Sequence, residues 1–177
     1  MGHRREPKRT LMYVPSFDDV QIAHERIKPH IHRTPVLTSS FFNELTGAEL
    51  FFKCENFQKA GAFKVRGASN AVFGLDEEKA RLGVATHSSG NHALSLSYAA
   101  GRRGIPVTVV MPRTAPEAKK AAVRGYGGRI VECEPSTSSR EAVFAEVVAE
   151  TGAEFVHPYN DPRVIAGQGT CSLELSE

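Results

Sequence analysis

Hydrophobic positions along this chain fall into two rhythms. Between Phe17 and Ile27 they recur at helical spacing, and Val20, Ile22, Ala23 and Ile27 share one face of a predicted helix. Ser16 is a good N-cap for that helix, with Asp19 placed to close a capping box, and Pro29 follows its end. Residues 38–46 predict a second, shorter helix closed by Gly47, and residues 50–55 (LFFKCE) a strand. From residue 83 the rhythm becomes a regular alternation. Strands are predicted at 83–86, 106–111, 129–133 and 154–157, separated by helices at 91–103, 116–124 and 139–151. The run PVTVVM at 106–111 holds four consecutive β-branched residues, as expected of a strand buried on both faces. Asp161-Pro162 reads as a break, after which a last helix starts near Gly169 and runs through Leu173 and Leu175.

Strands alternating with helices imply right-handed crossovers and a parallel sheet. The expected fold class is therefore α/β: a parallel-sheet, three-layer small domain plus an incomplete part of a second α/β domain. The four-stranded unit does not obviously cover the N-terminal helices, and the last helix ends with apolar residues still to be covered. The chain reads as cut short.

Composition narrows the function classes. The 177 residues are 41% hydrophobic and 24% charged, which is globular rather than disordered. The net charge is only +2, and Arg4, Arg5, Lys8 and Arg9 against Glu6 supply more than all of it. The body beyond Thr10 is slightly acidic, so no nucleic-acid surface is expected. No window approaches the roughly 18 apolar residues of a membrane span, and no apolar run follows the basic N-terminus, so neither a membrane nor a secretory signal is expected. Cys54, Cys133 and Cys171 are widely spaced, which favours buried thiols in a reducing cytoplasm over disulfides or zinc.

Two segments carry candidate chemistry. In AGAFKVRGA (60–68), Lys64 stands among small and apolar residues at a loop-to-helix junction. Small neighbours admit a flat ligand, and partial burial would lower the amine's pKa toward nucleophilic use. Taken alone, the run reads better as a surface helix. In THSSGNH (86–92), a strand end passes into a helix N-terminus, where open α/β sheets bind ligands and free N–H groups suit an anion. Ser-Ser-Gly-Asn is also ordinary capping chemistry, and by itself the segment does not choose.

The ordered series decides what the single segments cannot. FKCENFQ leads into AGAFKVRGA, then come THSSGNH, TAPEAKKAAVRGYGG, CEPS, HPYNDP and AGQGT. That series resembles the serine racemase and serine/threonine dehydratase family, the fold-type II (tryptophan synthase β-like) enzymes of pyridoxal phosphate, from about Phe17 to the last residue. The resemblance implies that Lys64 holds the cofactor and serves as a base on one face of the substrate. Ser89 matches the acid/base on the opposite face, Asn91 the partner of the cofactor's ring oxygen, and Phe63 the residue beside the ring. Ser88, Ser89, Asn91 and His92 match the loop that receives the substrate carboxylate. It further implies a homodimer, a cytoplasmic setting, and dehydration (ammonia-lyase chemistry) or racemisation of L-serine or L-threonine, with a small amino acid as substrate. In domain terms, residues 1–15 form an extension, 16–74 the first part of the large cofactor domain, 75–158 the small domain, and 159–177 the start of the remaining large domain. The family's glycine-rich phosphate loop and divalent-metal ligands lie downstream of GQGT and have no counterpart here. Weak cofactor binding is therefore expected of this chain, no metal site, and, as the alternative reading, a catalytically inactive fragment.

Other motifs carry weaker signals. His30-x-His32 lacks further ligands for a metal. Gly125-Tyr126-Gly127-Gly128 reads as a turn before a strand, and Gly167-Gln168-Gly169-Thr170 as the beginning of a helix rather than a phosphate loop. Lys119, Lys120 and Arg124 read as a solvated helix face, and Tyr126 as packing. Arg140, behind Ser138 and Ser139 at a helix start, is held as a substrate-side contact.

Overall fold

The computed structural model describes residues 13–177, so the basic cluster Arg4 to Arg9 lies outside the described residues. Helix α1 (Phe17–Ile27) begins at Ser16, whose side chain accepts from the Asp19 N–H while Asp19 reaches back to the Ser16 N–H, the predicted capping box. Its buried face holds Ala23 and Ile27; Ile22, expected there, is 56% exposed. Helix α2 (Ser40–Thr46) ends as expected on Gly47 in the left-handed conformation. The strand predicted at 50–55 shrinks to β2 (Phe52–Lys53), paired antiparallel with β1 (Val36–Leu37). It stops because the chain turns at once into two short 3-10 turns, Glu55–Phe57 and Lys59–Gly61.

Helix α3 (Lys64–Phe73) follows, then α4 (Glu77–Leu82), a six-residue helix capped by Asp76 and too short to read from periodicity. The alternating half is as predicted to within a few residues: β3 (Val84–His87), α5 (Asn91–Arg103), β4 (Val107–Pro112), α6 (Glu117–Gly125), β5 (Arg129–Cys133), α7 (Thr137–Thr151) and β6 (Glu154–Phe155). All pairings in this sheet are parallel, in the order β5-β4-β3-β6. Helices α5 and α6 cover one face of the sheet and α7 the other, three layers in all.

Side-chain alternation divides the core accordingly. Val84, Val107, Val109 and Met111 pack with Leu96, Ala99 and Val123 on the α5 side. Ala85 and Val110 pack with Phe144 and Val147 of α7 on the other. The gap left by the sequence reading over the N-terminal helices is partly filled by the last helix. Helix α8 (Pro162–Leu175) lies on α1 and α3, and α3 beds on α5. Asp161-Pro162 is thus a helix start and not a break: Asp161 caps the Arg163 N–H and proline takes the first turn, where its missing N–H costs nothing. Gly167 to Thr170 consequently sit inside α8, not at its beginning. Among the described residues no helix is long and apolar enough to cross a membrane. Of the three free cysteines only Cys133 is buried, while Cys54 and Cys171 are half-buried.

Candidate active site

The sheet order sets the location. The chain runs from β3 through β4 to β5, then returns across the other face to place β6 beside β3. Connections thus diverge between β3 and β6, and a crevice opens at their C-terminal ends, the switch point where open α/β sheets bind ligands.

Lys64 reaches this crevice from outside the sheet. It is the first residue of α3, and its Nζ donates to the carbonyl oxygen of Pro158, just beyond β6, at 2.8 Å. Half-burial depresses the Nζ pKa below the ordinary lysine value. Phe63 stands beside it, its ring centroid 5.3 Å from Nζ. The preceding turn is strained: Ala60 (φ 55°) and Gly61 (φ 68°) are both left-handed, and only the second is a glycine. Such conformations persist where the surroundings over-determine them, as they do near working sites.

The loop Ser88–Gly90 joins β3 to α5 and supplies the other wall. No side chain caps the α5 N-terminus, so the first N–H groups of that helix remain available to an anion. Ser88, Ser89 and Gly90 are half-buried and Asn91 is exposed, and the Ser88 Oγ accepts from the Gly90 N–H at 3.3 Å. His92 lies beneath them, 3% exposed. Its Nε2 meets the Val156 carbonyl at 3.1 Å, an acceptor, so Nε2 carries the proton and Nδ1 does not. Nδ1 has no protein partner among the described residues. Burial, then the nearby Lys64 charge, push the His92 pKa down to about 4 despite that bond to Val156, so the imidazole is neutral at pH 7.

Arg140 lies on the α7 side. It lines a cleft of about 190 Å³ with Pro112, Cys133, Ser136 and Thr137, and its Nε is buried without a protein partner among the described residues. Its charge reaches the β3 end: burial, then Arg140, depress the His87 pKa. Lys64 and His92 therefore share the β3–β6 crevice, while Arg140 flanks its β4–β5 side.

Three residues take places that the sequence reading did not assign to them. His157 folds its own loop, with Nδ1 accepting from the Tyr159 and Asn160 N–H groups at 3.2 and 2.9 Å, and so presents the Pro158 carbonyl. Arg66 and Lys120 are buried cations, the latter 3% exposed and bonded to Glu132 and to the Arg113 carbonyl. Lys120 is therefore not part of a solvated face. His30 stacks on Phe73 and His32 meets the Phe57 carbonyl, which accounts for both without a metal.

An amine with a lowered pKa, an aromatic ring beside it and an uncapped helix N-terminus fit a flat aldehyde cofactor and an amino-acid carboxylate. A Cβ added at Gly61 or Gly90 would meet nothing within 4 Å, so both loops border open space. Comparison with known proteins agrees with that fit. The family described as "Pyridoxal-phosphate dependent enzyme" matches residues 27–177. The β-hydroxyaspartate dehydratase of Paracoccus denitrificans is 74% identical over 166 residues, covering 94% of this chain and 53% of that protein. The serine racemase of Arabidopsis thaliana is 54% identical over 165 residues, covering 93% and 50%. The solved structure of maize serine racemase superposes with a TM-score of 0.90 at 52% identity, covering 92% of this chain and 50% of that one. The chain spans about half the length of the curated relatives it matches.

Proposed function

From the premise that this chain belongs to the pyridoxal-phosphate-dependent enzymes, we propose that the protein removes water from, or racemises, small β-hydroxy amino acids. The observation that carries this reading is the half-buried Lys64 amine at the β3–β6 switch point, across from an uncapped helix N-terminus. In this reading Lys64 would hold the cofactor, with Phe63 and Asn91 as the further residues that would contact it. The cofactor, when bound, draws electron density away from the substrate's α-carbon.

The chain's own groups would do the rest. Ser88, Ser89 and Asn91, with the first N–H groups of α5 including that of His92, receive the α-carboxylate and fix the substrate's orientation, the His92 ring being spent on the Val156 carbonyl. Lys64 Nζ, its charged form disfavoured by burial, takes the α-proton from one face. Ser89 Oγ serves the opposite face. Two groups on opposite faces permit inversion, whereas one group and a departing β-hydroxyl give elimination. His92 stays neutral and keeps the charge next to Lys64 low.

The substrate is L-serine, L-threonine or, following the 74% identical dehydratase, β-hydroxyaspartate. Arg140 favours the last. A guanidinium with an unused buried Nε beside the β3 end suits a second carboxylate. Arg140→Met in the full-length protein should raise KM for β-hydroxyaspartate by about 10- to 100-fold, the worth of one charge-assisted bond. It should leave serine turnover within about threefold. Equal losses on both substrates would remove Arg140 from this role. Lys64→Ala should lower turnover of every substrate by at least about 100-fold. A variant that retains its activity would overturn the reading.

A further inference from the structure

An ion cluster beneath α3 is the largest charged feature that the site just described leaves unused. Arg66, two residues beyond Lys64, is fully buried. Its Nε and Nη2 donate to the Glu55 carboxylate, both at 2.8 Å. Its Nη1 and Nη2 donate to Glu174 at 2.8 and 2.9 Å, and Nη1 also to Thr170 Oγ1 at 3.1 Å. These bonds use every N–H of the guanidinium fork. Lys53 Nζ joins at 2.7 Å from Glu174 and 2.7 Å from the Thr34 carbonyl, and Thr34 Oγ1 donates to Glu55 at 2.6 Å. Two cations thus face two carboxylates, with His24 Nδ1 3.9 Å from Glu174. Burial alone would raise both carboxyl pKa values, but the bonds from Arg66 hold them below the ordinary range.

A buried ion cluster is a poor source of net stability, since apolar side chains of equal volume often do as well. What a doubly clamped planar fork supplies is geometry. Here the clamp brackets the stretch that carries Lys64: Glu55 opens the first of the two 3-10 turns before it, and Arg66 follows it in the same helical turn. The far jaw, Glu174, belongs to α8 and holds the assembly from the opposite side.

We propose that Arg66 is a positioning residue for Lys64: clamped between Glu55 and Glu174, it fixes the first turn of α3 so that Nζ stays in the crevice beside the Pro158 carbonyl and His92. The inference rests on reading Lys64 as a working amine. The titratable group facing Nζ is His92 on α5, which is itself influenced by His157 and Asp161 of the β6–α8 connection. Loosening the clamp admits water to Nζ and returns it toward an ordinary lysine.

Competitive acetylation of this chain across a pH series, read by mass spectrometry at the Lys64 peptide, tests the clamp without cofactor or turnover. In the unaltered chain the Lys64 profile should have its midpoint below that of free lysine. Arg66→Lys keeps the charge but not the fork, and Glu55→Gln keeps the volume but loses half the clamp. Each should move the midpoint up and cut labelling at neutral pH by about threefold, with thermal unfolding still cooperative. Folded variants whose Lys64 profile stays in place would overturn the inference and leave the reading of Lys64 intact. If Arg66→Lys does not fold, Glu55→Gln decides alone. A Lys64 profile like that of free lysine in the unaltered chain would instead sink the functional reading, and the clamp with it.

Discussion

His92 shows how a residue can be legible in type and not in state. The motif THSSGNH marked it as a ligand-loop residue, but only the fold reveals that it is buried, neutral and bonded to Val156. Its folded pKa of about 4 lies below the unfolded value, so the unfolded chain binds the extra proton between the two. Stability from this group is therefore fully present above about pH 6.5 and is lost as pH falls toward about 4. The loss is on the order of 3 kcal/mol, and His87 and His157, also depressed by burial, add in the same direction. Urea unfolding at pH 7 and pH 4.5 should show the drop, and His92→Asn should flatten it. An equal slope in the variant would assign the acid sensitivity elsewhere. Buried cations were the residues least legible in sequence. Arg66 carries no local signal of burial, because its partner Glu174 lies at the far end of the chain and no local pattern announces such a pair.

At the level of elements, the alternating half of the chain was legible because each strand is short, apolar and bounded by a helix of clear period. The last helix was misplaced for a physical reason. Gly167 and Gly169 look like helix breakers, yet they sit where α8 meets α3 and α1. A Cβ on Gly167 would come within 2.6 Å of the Gly67 Cα, and one on Gly67 within 2.7 Å of the Val164 carbonyl. The two helices therefore touch backbone to backbone. Gly167→Ala should cost about 1–3 kcal/mol, since only a backbone shift can relieve the contact. Gly125→Ala, in the last turn of α6 with nothing within 4 Å, should be neutral or stabilising by up to about 1 kcal/mol. Chemical denaturation of both variants checks the contrast, and similar midpoints would argue against a backbone contact.

For the whole molecule, the site follows from topology. Because the chain winds outward from β3 and returns to its other side at β6, the loops after those two strands must face each other across one crevice. Helix α3 then carries Lys64 to that crevice from outside the sheet. Motif order in the sequence does not give the direction from which α3 approaches, which depends on α8 holding α3 against α5. The most direct check is to incubate this chain with pyridoxal phosphate, reduce with borohydride, and map the modified lysines by mass spectrometry. Lys64 should carry the cofactor well ahead of exposed lysines such as Lys28 and Lys119, and Lys64→Ala should abolish that preference. Modification spread evenly over the exposed lysines, with Lys64 among the least reactive, would mean that Lys64 is not the cofactor lysine.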